Sequence, residues 1–287
     1  MTKSKALVEN IALVDKNKSV VKANELIQKS RFSLSTQQQK IMLYLIAQIS
    51  PFDDDFKLYD FNILDFCKIC GIETKGGKNY QDLKTAIKEI ADKSLWVKLD
   101  NGQETLLRWI EKPYIDERNG TISIKLDKDM KPYLLQLKAN FTQYELLWTL
   151  NFKSKYTIRL YELSKSIHYN VTKPYTKDYT LDELRKLLGA EKYIKYAAFK
   201  ERVLEPAIKE INETSDIILE YEVIKRSRAV HRILLTVKLK GDIERLHAFQ
   251  KIEDQYGLNQ LTLWAKPQED YGDRIVREHQ RAQNGKE

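Results

Sequence analysis

Apolar positions along this chain follow two rhythms, one near 3.6 residues and one of two. Ser35-Thr36 reads as a helix N-cap, and Ile41, Leu45, Ile46 and Ile49 share one face of the helix that follows. Pro51 and the acidic Asp53-Asp54-Asp55 stretch end it. Residues 56–61 predict a short strand, and 64–70 a short helix closed by Gly71. A basic, Gly-containing loop at 75–79 leads into a third helix, 80–92. Residues 96–99 and 105–110 predict strands around an Asn101-Gly102 hairpin turn, and Asn119-Gly120 turns a second hairpin into 121–126.

The same order then returns. Ser154 caps a helix carrying Ile158, Leu160, Tyr161, Leu163 and Ile167. An extended piece at 175–179 precedes Thr180, the cap of a short helix, 181–188, closed by Gly189. A basic loop at 191–195 leads into a helix at 196–212. Alternating strands at 217–224 and 231–240 follow, joined by Lys225-Arg226-Ser227-Arg228. The third helices share a string: Ala86-Ile87-Lys88-Glu89-Ile90 and Ala207-Ile208-Lys209-Glu210-Ile211 lie 121 residues apart, and Gly71 and Gly189 lie 118 apart. Two units with small insertions fit this better than a repeat array.

Three helices followed by a β-hairpin wing is the winged-helix plan, a helix-turn-helix variant. The expected fold class is therefore α+β, two tandem winged-helix domains related by internal duplication. The expected boundaries are an N-terminal arm at 1–30, a first domain at 31–140, a second at 150–240 and a polar tail at 241–287. The tail reads as flexible or partner-binding, with helical spacing around 271–283.

Charge points the same way. The chain carries a net +8. Residues 241–287 hold seven Lys/Arg and nine Asp/Glu, and the remaining 42 basic and 32 acidic residues give 1–240 a net +10. A basic body favours a polyanionic partner. In the second unit, Lys195, Ala198, Arg202, Glu205 and Lys209 form one stripe opposite the apolar face of the third helix. Arg202 is the expected base reader, because Arg bonds guanine bidentately, and Lys195 and Lys200 suit phosphate. Glu205 and Lys209 could instead pair along the helix. Lys225, Arg226 and Arg228 at the wing tip, with Arg232 on the return strand, are expected to touch the phosphates or the minor groove. Pro206 falls inside the helix, where it should bend it, and its place near the apolar boundary reads as packing. The first unit has a weaker face: Lys78, Gln81, Lys84, Thr85, Lys88 and Glu89. Its hairpins carry Trp96, Leu106, Leu107, Trp109, Ile110 and Tyr114, apolar on both faces, which suits either a second protomer or a contact within the chain.

Other chemistry is not signalled. Cys67 and Cys70 form a C-x-x-C, yet no further ligands supply a zinc site, so small buried residues on a helix are the expectation. There is no phosphate-binding G-x-x-x-x-G-K-[ST] segment. The four histidines form no H-x-H pair of the kind a nicking enzyme uses to hold its metal. No enzyme activity, cofactor or metal is expected. No apolar run approaches the roughly 18 residues of a membrane span, and the polar N-terminus resembles no signal peptide, so a cytoplasmic protein is expected.

Three segments resemble the replication initiator (Rep) proteins of iteron-carrying bacterial plasmids. They are Val21-Lys22-Ala23-Asn24-Glu25-Leu26-Ile27 leading to Leu34-Ser35-Thr36-Gln37-Gln38-Gln39-Lys40-Ile41, then Ser154-Lys155-Tyr156-Thr157-Ile158-Arg159-Leu160-Tyr161-Glu162-Leu163, then residues 199–212. The resemblance implies two winged-helix domains and binding of double-stranded DNA at repeated origin sites, with the second domain as main reader. It implies a homodimer through the first domain, repression of the initiator's own gene, help in opening the origin, and recruitment of the host initiator and helicase. It also places Lys195, Lys200, Arg202 and Lys209 on the principal reading helix. A tandem winged-helix transcription regulator is the alternative.

Overall fold

Capping and turn chemistry set the elements along the chain. In a computed structural model, residues 18–50, 52–69, 79–168 and 173–256 are described. Strand β1 (Ser19–Ala23), helix α1 (Asn24–Lys29) and strand β2 (Ser30–Arg31) come first. Helix α2 (Thr36–Ala47) starts in a capping box, in which the Ser35 hydroxyl accepts from the Gln38 N–H and the Gln38 side chain accepts from the Ser35 N–H. Strand β3 (Tyr59–Asn62), α3 (Ile63–Ile69) and α4 (Asn79–Asp92) follow. Two hairpins come next: β4 (Ser94–Lys98) with β5 (Glu104–Arg108), and β6 (Tyr114–Asp116) with β7 (Thr121–Ile124). Gly102 and Gly120 take φ of +85° and +64° at the two turns, which Asn-Gly pairs favour. The short helix α5 (Lys131–Leu134) leads to β8 (Phe141–Glu145) and α6 (Leu146–Asn151).

The second unit repeats the plan. Helix α7 (Lys155–Ile167) is capped by Ser154. Strand β9 (Tyr175–Thr180) runs into α8 (Leu181–Leu188), which opens in a Thr180–Glu183 capping box. A long helix, α9 (196–214), is followed by strands β10 (Ile217–Arg226) and β11 (Ala229–Leu239). The sheet order is β10-β11-β9, so the wing is braced by the strand that precedes α8. Gly189 ends α8 at φ +63°, and a Cβ there would stand 3.3 Å from the Phe32 carbonyl oxygen. Glycine thus serves both the left-handed turn and the approach of the first unit.

Three expectations need correction. Residues 19–30 are not an arm: β1 pairs antiparallel with β8, and Val20, Val21, Leu26 and Ile27 are buried. The partner strand lies about 120 residues away in sequence, so no local pattern announces it. Residues 141–149, outside both expected domains, belong to the fold: they form β8 and most of α6, and Leu146, Leu147 and Trp148 are core residues. One apolar core runs through both units. Finally, the tail begins with a helix, α10 (Asp242–Tyr256), that packs on α9 and buries Ala248, Phe249 and Ile252. The helical stretch expected at 271–283 lies outside the described residues, as do Cys70 and Gly71. Cys67 is buried, and burial beside Asp82 pushes its thiol up to about 11, so it stays protonated at neutral pH.

Charge is buried where the units meet. The Glu162 carboxylate on α7 accepts from Lys22 Nζ of β1 and the Tyr144 hydroxyl of β8, each at 2.5 Å, and Arg159 Nη1 lies 3.6 Å away. Arg159 also donates to the carbonyls of Ile27 (3.2 Å) and Ser30 (3.4 Å) in the first unit and of Leu187 (3.3 Å) in the second. Its guanidinium covers the Phe32 ring at 4.5 Å. Burial alone would raise the Glu162 pKa, but Lys22 and Arg159 outweigh it and hold the carboxyl below its usual 4.5. A depressed carboxyl stabilises the fold above its unfolded pKa and loses that contribution as pH falls through its folded value. Glu162→Gln should therefore lower stability near neutral pH by about 3–5 kcal/mol in urea unfolding, since two buried cations lose their counter-charge. Its stability should also fall less steeply than that of the wild type below pH 4.5; parallel acid profiles would show that Glu162 is not the titrating group.

Candidate nucleic-acid interface

Helices α8 and α9 form the helix-turn-helix of the second unit. The turn between them is held from inside. The Ala190 N–H donates to the Arg185 carbonyl at 2.8 Å, and the Tyr193 N–H to the Ala190 carbonyl at 3.0 Å. The buried Arg185 guanidinium donates to the Ile194 carbonyl at 2.5 Å and to Asp182 at 3.1 Å. Helix α9 then buries Phe199, Val203, Leu204, Ala207 and Ile211 against the core.

The opposite face carries the expected stripe, with one change of register. Helix α9 is α-helical at Tyr196–Phe199, π-helical at Lys200–Leu204 and α-helical again at Glu205–Thr214. The Glu205 N–H bonds the Lys200 carbonyl, five residues back. Pro206 explains the slip, since it has no N–H and its ring crowds the carbonyl four residues before it. Pro206 is exposed, not packed as expected. The extra residue in the turn leaves Ala197 exposed and Ala198 only half exposed, so Ala197 is the position that helical spacing missed. A proline inside a helical pattern was the available signal.

Lys195, Arg202 and Lys209 are exposed, and none makes an ion pair with another described residue. Lys200 instead lies 3.3 Å from Glu205, which also accepts from the Tyr221 hydroxyl at 3.2 Å. Glu205 is therefore engaged with Lys200 and the wing rather than with Lys209.

The wing is long. Residues 222–229 are exposed, whereas the return strand stays in the core up to Ile233, opposite Val223, and pairs with β9 as far as Arg232. Past the Ile224–Arg232 pair only the two-stranded tip remains, and at about 3.3 Å per residue it projects roughly 10 Å. A two-residue turn at Ser227-Arg228, with Ser227 at φ +58°, places Lys225, Arg226 and Arg228 together at the tip with no carboxylate partner among the described residues. Arg232 differs: its Nε donates to both Asp178 carboxylate oxygens, at 2.8 and 2.7 Å, across the β9–β11 pair.

The first unit neutralises its own face. On α4, Lys84 pairs with Glu117 and Lys88 with Asp92, and the Thr85 hydroxyl donates to the Gln81 carbonyl at 2.8 Å. Gln81, Thr85 and Lys88 are exposed. Lys78 lies outside the described residues. Of the hairpin residues, Leu107, Trp109 and Ile110 are core, while Trp96 and Leu106 face each other in register on the outer surface at 49% and 52% exposure. Among the described residues no group of His, Cys, Asp and Glu could hold a metal ion, and no helix is long and apolar enough to cross a membrane.

The fold first defines a class: two tandem winged helices, an architecture of DNA-binding proteins. The family model described as "Initiator Replication protein, WH1" matches residues 19–165, and that described as "Initiator Rep protein, WH2" matches residues 180–237. The chain belongs to the initiator replication (Rep) protein family. It is 26% identical to a replication initiation protein of Escherichia coli over 233 residues, 78% of this chain and 71% of the relative. It is 22% identical over 224 residues to an uncharacterized 27.6 kDa protein of Escherichia coli, 74% of this chain and 92% of the relative. A crystal structure of Pi initiator protein in complex with iteron DNA shares the fold, with a TM-score of 0.64 at 21% identity, covering 79% of this chain and 99% of that one.

If the wing tip meets phosphate, Arg226→Gln with Arg228→Gln should lower the slope of log affinity against log salt by about two. Lys84→Gln with Lys88→Gln should lower it less. Equal slopes in all three proteins would remove the wing from the interface.

Proposed function

We propose that this chain is a plasmid replication initiator that binds repeated duplex sites at its origin and reads them through the second winged helix. The observation that carries this reading is the cluster of unpartnered cations on α9 and the wing tip: Lys195, Arg202, Lys209, Lys225, Arg226 and Arg228. Membership of the Rep family and the shared fold with an initiator described in complex with iteron DNA support it. Lys195 and Lys209 grip phosphate, Arg202 reads a base edge, and the tip holds the flanking backbone. Lys200 and Arg232 join only after exchanging Glu205 and Asp178 for phosphate. The first unit adds a weaker contact through Gln81, Lys84, Thr85 and Lys88. Its exposed pairs are worth at most about 1 kcal/mol, so phosphate competes for both lysines.

In this reading the protein acts in the bacterial cytoplasm without enzymatic chemistry or cofactor. It helps open the origin, recruits the host initiator and helicase, and represses its own gene. The first unit also forms the homodimer, through the face bearing Trp96 and Leu106, which the second unit leaves uncovered.

Arg202→Ala should weaken binding to the cognate repeat by about 1–3 kcal/mol and relax preference at one base pair, read by titrating single-base variants of the site. Equal loss on every sequence would contradict base reading. Trp96→Glu with Leu106→Glu should give a monomer by light scattering that still binds one repeat; an unchanged mass would place the dimer contact elsewhere.

A further inference from the structure

Ile194 is the most exposed large apolar side chain among the described residues, at 81%. Isolated exposed apolar residues are common and by themselves mean little. This one is unusual in how firmly its backbone is held. The Arg185 guanidinium, itself buried, donates to the Ile194 carbonyl and spreads over the Phe199 ring at 5.6 Å. The preceding residue, Tyr193, is half-buried and sets its ring against Tyr156 at 6.0 Å. The following residue, Lys195, caps α9, and its carbonyl accepts from the Phe199 N–H. A fixed turn therefore presents a branched apolar side chain at the leading end of the reading helix.

Its neighbours on that face are small. Ala197 and Ala198 stand between Ile194 and Arg202, so past Lys195, whose flexible side chain suits phosphate, the first turn of α9 carries small side chains. In the major groove the one apolar feature of a base edge is the 5-methyl group of thymine. We infer that Ile194 is a specificity-determining residue that packs against a thymine methyl, while Arg202 reads by hydrogen bonding about two helical turns further along. This rests on the second winged helix being the DNA reader.

The test begins with the duplex site that the wild-type protein selects from a random library. Affinity is then measured for that site and for variants in which each thymine is replaced singly by uracil, which removes only the methyl. Burying one such group is worth about a four-fold change in affinity. Wild type should lose about three- to five-fold at one or two uracil positions. Ile194→Ala should bind the parent site correspondingly less well and be indifferent to uracil at those positions, while Ile194→Val should keep the sensitivity. An Ile194→Ala profile with the same uracil sensitivities as wild type would overturn the inference while leaving the reader intact. A wild type that selects no motif would overturn the sequence-reading role and this inference with it. The side chain is exposed, so the variants test contact rather than folding.

Discussion

The Glu162 carboxylate is the point on which the two halves of the molecule depend. It is buried with Lys22, Arg159 and the Tyr144 hydroxyl around it. Removing charges from water costs more than their attraction returns unless the remaining hydrogen bonds are also made. Here they are made by backbone: Arg159 bonds carbonyls of Ile27 and Ser30 on one side and of Leu187 on the other. An apolar cluster could hold two domains together as strongly, but with less directional demand than a planar guanidinium. The fork therefore fixes how the first unit is set against α8, and through α8 the reading helix. In the proposed function, where both winged helices would meet one duplex, that relation has to be constant.

On this shared frame the two units differ in electrostatics. The first pairs its lysines with its own carboxylates, Lys84 with Glu117 and Lys88 with Asp92. The second leaves Arg202, Lys209 and the wing tip unpaired. Unpaired surface cations repel one another and attract phosphate from a distance, an effect that salt screens within about 10 Å. A paired face contributes only after its own bonds are exchanged. The contrast between a paired face and an unpaired one thus follows from where the carboxylates lie, not from how many lysines each face holds.

Much of this was legible in the sequence. Capping residues at Ser35, Ser154 and Thr180, the Asn-Gly turns, and Gly189 are local signals, and each produced the expected boundary. The pairing of β1 with β8 was not legible, because it joins segments far apart in the chain, and Val20-Val21 carries no period that distinguishes a strand from an arm. The docked helix α10 was missed for a related reason: its buried residues are few, and charge dominates its composition. At the site, sequence identified the basic residues but not their partners. Lys200 and Arg232 look as free as Arg202 until Glu205 and Asp178 are placed beside them in space.

The shared Ala-Ile-Lys-Glu-Ile string makes the reading helices comparable residue by residue. Shifting by 121 residues, Gln81 corresponds to Arg202, Lys84 to Glu205, Thr85 to Pro206 and Lys88 to Lys209. Helix α4 runs unbroken from Asn79 to Asp92, with the Thr85 hydroxyl folded back onto the Gln81 carbonyl. Helix α9 cannot do the same, because Pro206 has no N–H to continue the ladder and the turn before it widens to π geometry. One position therefore alters shape as well as chemistry. The wide turn lies under Arg202 and changes the face on which Ala197 and Ile194 precede it. The carboxylate that arrives with it, Glu205, ties Lys200 and the wing's Tyr221 to that same turn. The second unit's reading surface is thus built as one piece, helix and wing together, around a proline that the first unit lacks.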